Sequence, residues 1–291
     1  MKFGVSLLGL DLIHAVEVAG AADQLGYESV WLSDHLIVPA APAEVVPEHG
    51  QVPPTLPFYD VGGAASYLGA TTSRIRIGTW VYVLPLRHPF VTARTIQTAD
   101  ILTGGRIEFG VGTGYLETEF AAAGVDFSKR GALLDEGLLA CQKLWSEPLP
   151  EYHGAHFDFP SVGFDPKPVQ QPWPRIHVGG ESMAAFRRAV RFGSGWIGTE
   201  HTPETVGALL PKLRMAESAA GRSSPLEITV AAGPVTGRKD LPDLDAAAIA
   251  SFAGLGVDRL IVRPWRRRRE ALQSLRTFAA EHLADSGAVH G

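Results

Sequence analysis

Apolar residues along the chain follow two alternating rhythms. Runs of five to eight residues recur at 3–8 (FGVSLL), 29–33 (SVWLS), 76–83 (RIGTWVYV), 106–111 (RIEFGV), 175–180 (RIHVGG), 195–199 (GWIGT), 227–232 (EITVAA) and 259–263 (RLIVR). Short apolar runs rich in β-branched and aromatic side chains predict strands. Between them, LIHAVEVAGAADQLG (12–26), DVGGAASYLGA (60–70), FVTARTIQTADILTGG (90–105) and RGALLDEGLLACQKLW (130–145) place apolar residues three and four apart, the period of a helix with one buried face. Strand and helix alternate, as parallel βαβ units do. Eight such units in 291 residues predict an α/β protein with a closed (β/α)8 TIM barrel, as one domain over 1–291. Residues 146–174 break the rhythm with prolines and aromatics and read as a structured insertion after the fourth strand, packed over the barrel. A second irregular stretch, 38–57, follows the second strand and has the length of an active-site cover.

In such a barrel the reactive residues stand where the strands end and the βα loops converge. The second strand delivers Asp34 and His35 to that rim, on opposite sides of the chain. An imidazole there can move a proton near neutrality while a carboxylate holds it or the backbone; a rim histidine bonded to a carbonyl is the blander reading. The third strand carries Trp80, Tyr82, Leu84 and Leu86 on one parity, walls for a planar ring or ordinary filling of the barrel, and Pro85 ends it. The fourth opens onto GVGTG (110–114), whose missing Cβ atoms let a ligand approach the backbone, or simply let the chain turn. The fifth runs into Gly179 and Gly180 before a helix whose free N–H groups suit an anion, although Glu181 opposes one. Glu200 and His201 end the sixth strand, to contact substrate or cap the next helix. After the eighth, VRPWRRRRE sets five arginines together, a solvated surface run or a dock for an anionic group.

Composition narrows the chemistry. With 45 % hydrophobic and 20 % charged residues the chain is that of a globular protein, and a net charge of −5 disfavours nucleic acid as a partner. The lone Cys141 allows no internal disulfide, suits a reducing cytoplasm and reads as a packing residue. No run of 18 apolar residues predicts a membrane span, and Asp11 and His14 interrupt the N-terminal apolar stretch before it could form a signal sequence. Metal-ligand spacings such as H-x-H or H-E-x-x-H are missing, as is the G-x-S-x-G elbow, so no metal site or serine hydrolase is expected.

Taken in order, SVWLSDH, IGTWVYVLPLRHP, RIEFGVGTGYLETEF, RGALLDEGLLACQKLW and RIHVGG resemble the luciferase-like monooxygenase superfamily, and within it the oxidoreductases that use the deazaflavin coenzyme F420. The resemblance covers essentially the whole chain. It implies a flat redox ring across the barrel mouth, F420 or alternatively FMN, with a non-prolyl cis peptide near Trp80–Val81 behind the ring. It further implies that Asp34 and His35 form a catalytic pair at the ring's reactive edge, with Asp34 also touching the cofactor. Thr113 and Gly114 would meet the ring's polar edge or side chain, and Gly179, Gly180 and Glu181 the phosphate. The implied activity is hydride transfer between F420 and a small organic substrate, with an FMNH2- and O2-dependent monooxygenase as the alternative. A homodimer and a cytoplasmic location accompany these expectations. Tyr115 stands where the sugar-phosphate dehydrogenase branch has a proton-donating glutamate, and Pro39 where that branch has a tryptophan. A sugar phosphate is therefore not the expected substrate, and Glu117 or Glu119 would serve as the acid only where geometry permits.

Overall fold

The computed structural model describes residues 1–40, 52–238 and 241–283. Residues 41–51 of the expected cover lie outside them. Strand β1 (Lys2–Ser6) leads through α1 (Leu12–Leu25) to β2 (Ser29–Leu32), and α2 (Val61–Thr71) leads to β3 (Arg76–Thr79) and β4 (Tyr82–Val83). Helix α3 (Pro89–Leu102) precedes β5 (Ile107–Gly112), α4 (Glu117–Ala122) and α5 (Arg130–Ser146). A hairpin of β6 (Tyr152–His153) and β7 (Asp158–Phe159) follows. The chain then runs through β8 (Arg175–Gly179), α6 (Met183–Phe192), β9 (Gly195–His201), α7 (Pro203–Ala219), β10 (Glu227–Ala232), α8 (Ala246–Gly254), β11 (Arg259–Val262) and α9 (Ala271–His282).

The strands pair in parallel in the order β3-β2-β1-β11-β10-β9-β8-β5-β4, and a β3–β5 pairing closes the barrel. Because β3 and β4 both pair with β5, at Ile77↔Ile107 and Tyr82↔Val111, they fill one position, and the barrel has eight. Local chemistry sets the element ends. The Asp11 carboxylate accepts from the His14 N–H at 3.1 Å to start α1, and Gly26, at φ 86°, ends it. Thr202 and Thr205 cap each other's N–H groups at the start of α7.

The third strand departs from the expected continuous run. The Trp80–Val81 peptide is cis, at the place the resemblance implied. The ladder breaks between Thr79 and Tyr82, and the expected single wall of Trp80, Tyr82, Leu84 and Leu86 does not form. Trp80 packs inside the barrel against the cluster of Trp31, Ile197, Ala231, Val235 and Ile261, whereas Tyr82 and Leu84 are buried in the core between sheet and helices. Leu86 packs with Val83 and Phe120.

At the barrel base, where the strands begin, charged side chains replace apolar ones. Arg259 donates to both oxygens of Glu28 at 2.7 Å and lies 2.9 Å from Glu227. Glu108 bonds Arg76 and His177. Burial alone would raise the Glu108 pKa, but the His177 hydrogen bond and the charges of His177, Arg76 and Arg259 hold it well below the usual carboxylate range.

The insertion lies along the outer faces of α3 and α5. Phe159 and Phe164 are buried there, with the Phe159 ring 4.8 Å from that of Phe90. Gln170 bonds Asp100 through its backbone and side-chain amides at 2.9 and 2.7 Å. Glu136 of α5 accepts from the backbone N–H groups of Ala155, His156 and Phe157 at 3.1, 2.9 and 3.2 Å. Cys141 is buried, and its thiol faces the Pro89 carbonyl at 3.6 Å. Among the described residues no helix is long and apolar enough to cross a membrane.

Candidate active site

The site assembles where β2 ends. Asp34 turns into the protein: its carboxylate accepts from the Val83 N–H at 2.9 Å and from both terminal nitrogens of Arg87 at 2.7 and 2.8 Å. The Arg87 guanidinium also lies 4.3 Å over the Tyr82 ring. Asp34 thus ties β2 to the segment that follows the broken third strand, and both its oxygens are engaged in doing so. Arg87, 53 residues away, carries no periodic or motif signal that would have marked it as the partner.

His35 takes the opposite side of the chain and is nearly buried. Its Nδ1 lies 2.8 Å from the Glu119 carboxylate, and its Nε2 lies 3.3 Å from the Tyr115 hydroxyl. Phe58 and Tyr115 set their rings edge-on to the imidazole, at 4.8 and 5.6 Å between centroids. Glu119 stands in the first turn of α4, where the helix dipole favours an acid, and is itself buried. Its other oxygen accepts from the Leu36 N–H at 2.6 Å. A carboxylate facing Nδ1 favours the proton there, and in that tautomer of the neutral imidazole Nε2 accepts from the Tyr115 hydroxyl. Burial, with the Glu119 charge, pushes the Tyr115 pKa up to about 12, so the phenol stays protonated near neutrality. Of the two acids beyond Tyr115, Glu119 meets the histidine and Glu117 faces solvent.

The glycines of β5 and β8 explain the shape of the mouth. A Cβ on Gly112 would lie 2.7 Å from one methyl of Val81, and one on Gly179 would lie 3.2 Å from the other. The missing Cβ atoms therefore admit Val81 of the broken strand, so the expected close approach is made first by protein. Trp80, half-buried, donates its indole N–H to the Gly198 carbonyl at 3.0 Å. Trp80 and Val81 together lie on the interior apolar cluster. Thr113 is half-buried just beyond Gly112, and Gly114, at φ 78°, turns the chain into α4.

At the end of β8, Gly180 adopts φ 109° and its carbonyl accepts from the Trp196 indole at 2.8 Å. Glu181 accepts from the Thr199 hydroxyl at 2.7 Å and lies 3.0 Å from His201 Nε2. Ser182 caps α6. Glu200 accepts from the Thr236 hydroxyl at 2.6 Å and from the Thr236 N–H, and burial raises its pKa. His201 lies 3.2 Å from the Thr205 hydroxyl in the first turn of α7. The structure thus gathers His35, Glu119 and Tyr115 on one side of the mouth, and Gly179 to Glu181 with His201 on another. A groove of about 680 Å³ opens at the opposite end of the barrel, lined by Lys2, Trp173, Arg175 and Arg222. It holds none of the strand-end residues, and in a barrel that end serves stability.

The phthiodiolone/phenolphthiodiolone dimycocerosates ketoreductase of Mycobacterium tuberculosis is 31 % identical over 81 % of this chain and 65 % of its own, less than two thirds of that protein. Two solved structures superpose along nearly the whole length. Monooxygenase RslO1 from Streptomyces bottropensis has a TM-score of 0.79 at 23 % identity, covering 99 % of this chain and 100 % of its own. An F420-dependent secondary alcohol dehydrogenase in complex with an F420-acetone adduct has a TM-score of 0.78 at 16 % identity, covering 96 % and 97 %. These two likenesses are of fold. Residues 4–288 match the luciferase-like monooxygenase family, and with the closed barrel and its broken third strand already described, the chain belongs to that family.

Proposed function

We propose that the protein is an oxidoreductase that transfers a hydride between coenzyme F420 and a small organic substrate at the strand-end mouth of the barrel. The observation that carries this reading is the Glu119–His35–Tyr115 chain where β2 and β5 end, on the same strand-end rim as the half-buried Trp80–Val81 pair. The residues fit a flat ring: Val81 is backed by Gly112 and Gly179, and its half-buried apolar surface is a seat for a planar face. Thr113 and Gly114 would hold the ring's polar edge, and Gly179, Gly180 and Glu181 its phosphate-bearing side chain. When bound, the cofactor gives or takes the hydride.

The protein's own part is proton handling. Glu119 fixes the tautomer, so His35 Nε2 takes the proton of a substrate hydroxyl as that carbon loses hydride, or returns a proton to a carbonyl oxygen in reverse. Tyr115 donates a hydrogen bond to the same nitrogen or to the substrate oxygen. Asp34 acts as a positioning residue, holding Val83 and Arg87 and hence the Trp80–Val81 pair. The named activities of the mycobacterial ketoreductase and the F420-dependent alcohol dehydrogenase support a carbonyl/hydroxyl pair as the reacting group. Fold likeness to monooxygenases, one of them a Baeyer–Villiger enzyme of Pseudomonas putida in complex with FMN, favours one second reading, reduced FMN with oxygen in the same seat.

Fluorescence titration of the purified protein with F420 and with FMN, each in both redox states, separates the two. Tight FMN binding without F420 binding overturns the first reading. Single-turnover oxidation of bound reduced F420 by His35→Ala then tests the assigned proton path, and unchanged kinetics rejects it.

A further inference from the structure

The arginine run after β11 divides in two. Arg266 pairs with Asp243 at 2.6 Å, Arg268 pairs with Asp11, and Arg267 and Arg269 are exposed. Arg263 goes the other way. Within β11, Arg259 donates to Thr229 and lies over Trp31, and Ile261 belongs to the interior cluster, so this parity faces into the barrel. Arg263 is the next residue of that row, at the mouth. Its Nε is shielded from solvent and has no hydrogen-bond partner among the described residues.

Glu200 contributes charge nearby, but its hydrogen bonds run to the N–H and hydroxyl of Thr236 and none runs to Arg263. Burial and the neighbouring Arg266 both disfavour the Arg263 charge, yet a guanidinium does not give up its proton in a protein. The result is a half-buried cation with its counter-charge incomplete, a state relieved by a ligand that brings an anion. Barrel order supplies the sidedness. β11 stands four positions round from β5, so Arg263 faces Thr113 and Gly114 across the mouth rather than sharing their side.

We propose that Arg263 binds an oxyanion, a carboxylate or phosphate group, carried by the substrate. This rests on reading the mouth as a substrate site, and it does not depend on which ring carries the hydride.

Calorimetric titration with oxalate and with inorganic phosphate tests it on the cofactor-free protein. Wild type is expected to bind at least one of the two. Arg263→Gln is expected to weaken that binding at least tenfold, Arg263→Lys to lie between, and Arg267→Gln to match wild type. Where Arg263→Gln fails to fold, Arg263→Lys carries the comparison, because it keeps the charge and loses the planar fork. Failure of wild type to bind either anion, or equal binding by the Arg263 variants, overturns the proposal. F420 and FMN titrations of the same variants locate the source: a tenfold loss of cofactor affinity with anion binding unchanged assigns the oxyanion to the cofactor tail and overturns it as well. Anion binding does not require hydride transfer, so this inference and the proposed activity fall separately.

Discussion

His35 is held at both ring nitrogens, and the two contacts do different work. The Glu119 contact at 2.8 Å fixes which nitrogen is protonated, while the Tyr115 contact at 3.3 Å is loose enough for a substrate oxygen to intervene. Replacing Glu119 by glutamine removes the anion but keeps the shape. Glu119→Gln is expected to lower kcat by about a hundredfold, within the usual range for a positioned acid–base group, with the cofactor dissociation constant unchanged. Stopped-flow turnover set beside a cofactor titration checks this, and a parallel loss of both would point to structure alone. Because Tyr115 stays protonated to about pH 12, Tyr115→Phe is expected to leave the shape of the rate profile across neutral pH unchanged. Single residues were legible in type more than in task. Asp34 and His35 stood out as a rim pair, but Asp34's partner Arg87 is separated from it in sequence, and a contact of that kind leaves no trace in local periodicity. Arg263 was hidden by its neighbours, because a charge run does not disclose which member turns inward.

At the scale of elements, the third strand decides the shape of the mouth. Eight strands and their helices were readable because burial on both faces of the sheet and on one face of each helix imposes distinct periods. The glycines of GVGTG and RIHVGG were readable too, but an absent Cβ records a close approach without saying what approaches. At Gly112 and Gly179 it is Val81, the residue after the cis bond, pressed against two neighbouring strands at once, while at Gly110 it is the Thr79 carbonyl. Gly112→Ala would force that side chain to move and is expected to cost about 1–3 kcal/mol, the usual range for overpacking. In a Val81→Ala background the same change is expected to cost less, so urea unfolding of the two single variants and the double variant should show coupling. Additive costs would mean that Gly112 is needed for another reason.

Across the whole molecule the two ends of the barrel differ in how their charges are balanced. At the base, Glu108, Glu227 and Glu28 meet Arg76, Arg175 and Arg259 in mutual pairs. Opposing burial, those charges together with His177 hold the Glu108 and Glu227 pKa values below the ordinary 4.5. A depressed folded-state pKa gives stability that is complete above the unfolded value and drains away as pH falls below it. The urea midpoint is therefore expected to drop as pH falls below about 4.5. In Glu108→Gln it should start lower at neutral pH and decline less steeply. A wild-type midpoint that stays flat through that window would remove the base network from the account of stability.

The insertion has little regular structure, yet three consecutive amides, those of Ala155, His156 and Phe157, end on one carboxylate of α5. Such amides should exchange their protons for deuterium more slowly than a free turn would. Their protection relative to the intrinsic rate should fall in acid once Glu136 takes up a proton, since hydrogen bonds and nearby charge hold its pKa low against the effect of burial. Irregular backbone in this protein is then not a synonym for slack backbone: a single anchored side chain can give a loop the protection of a strand.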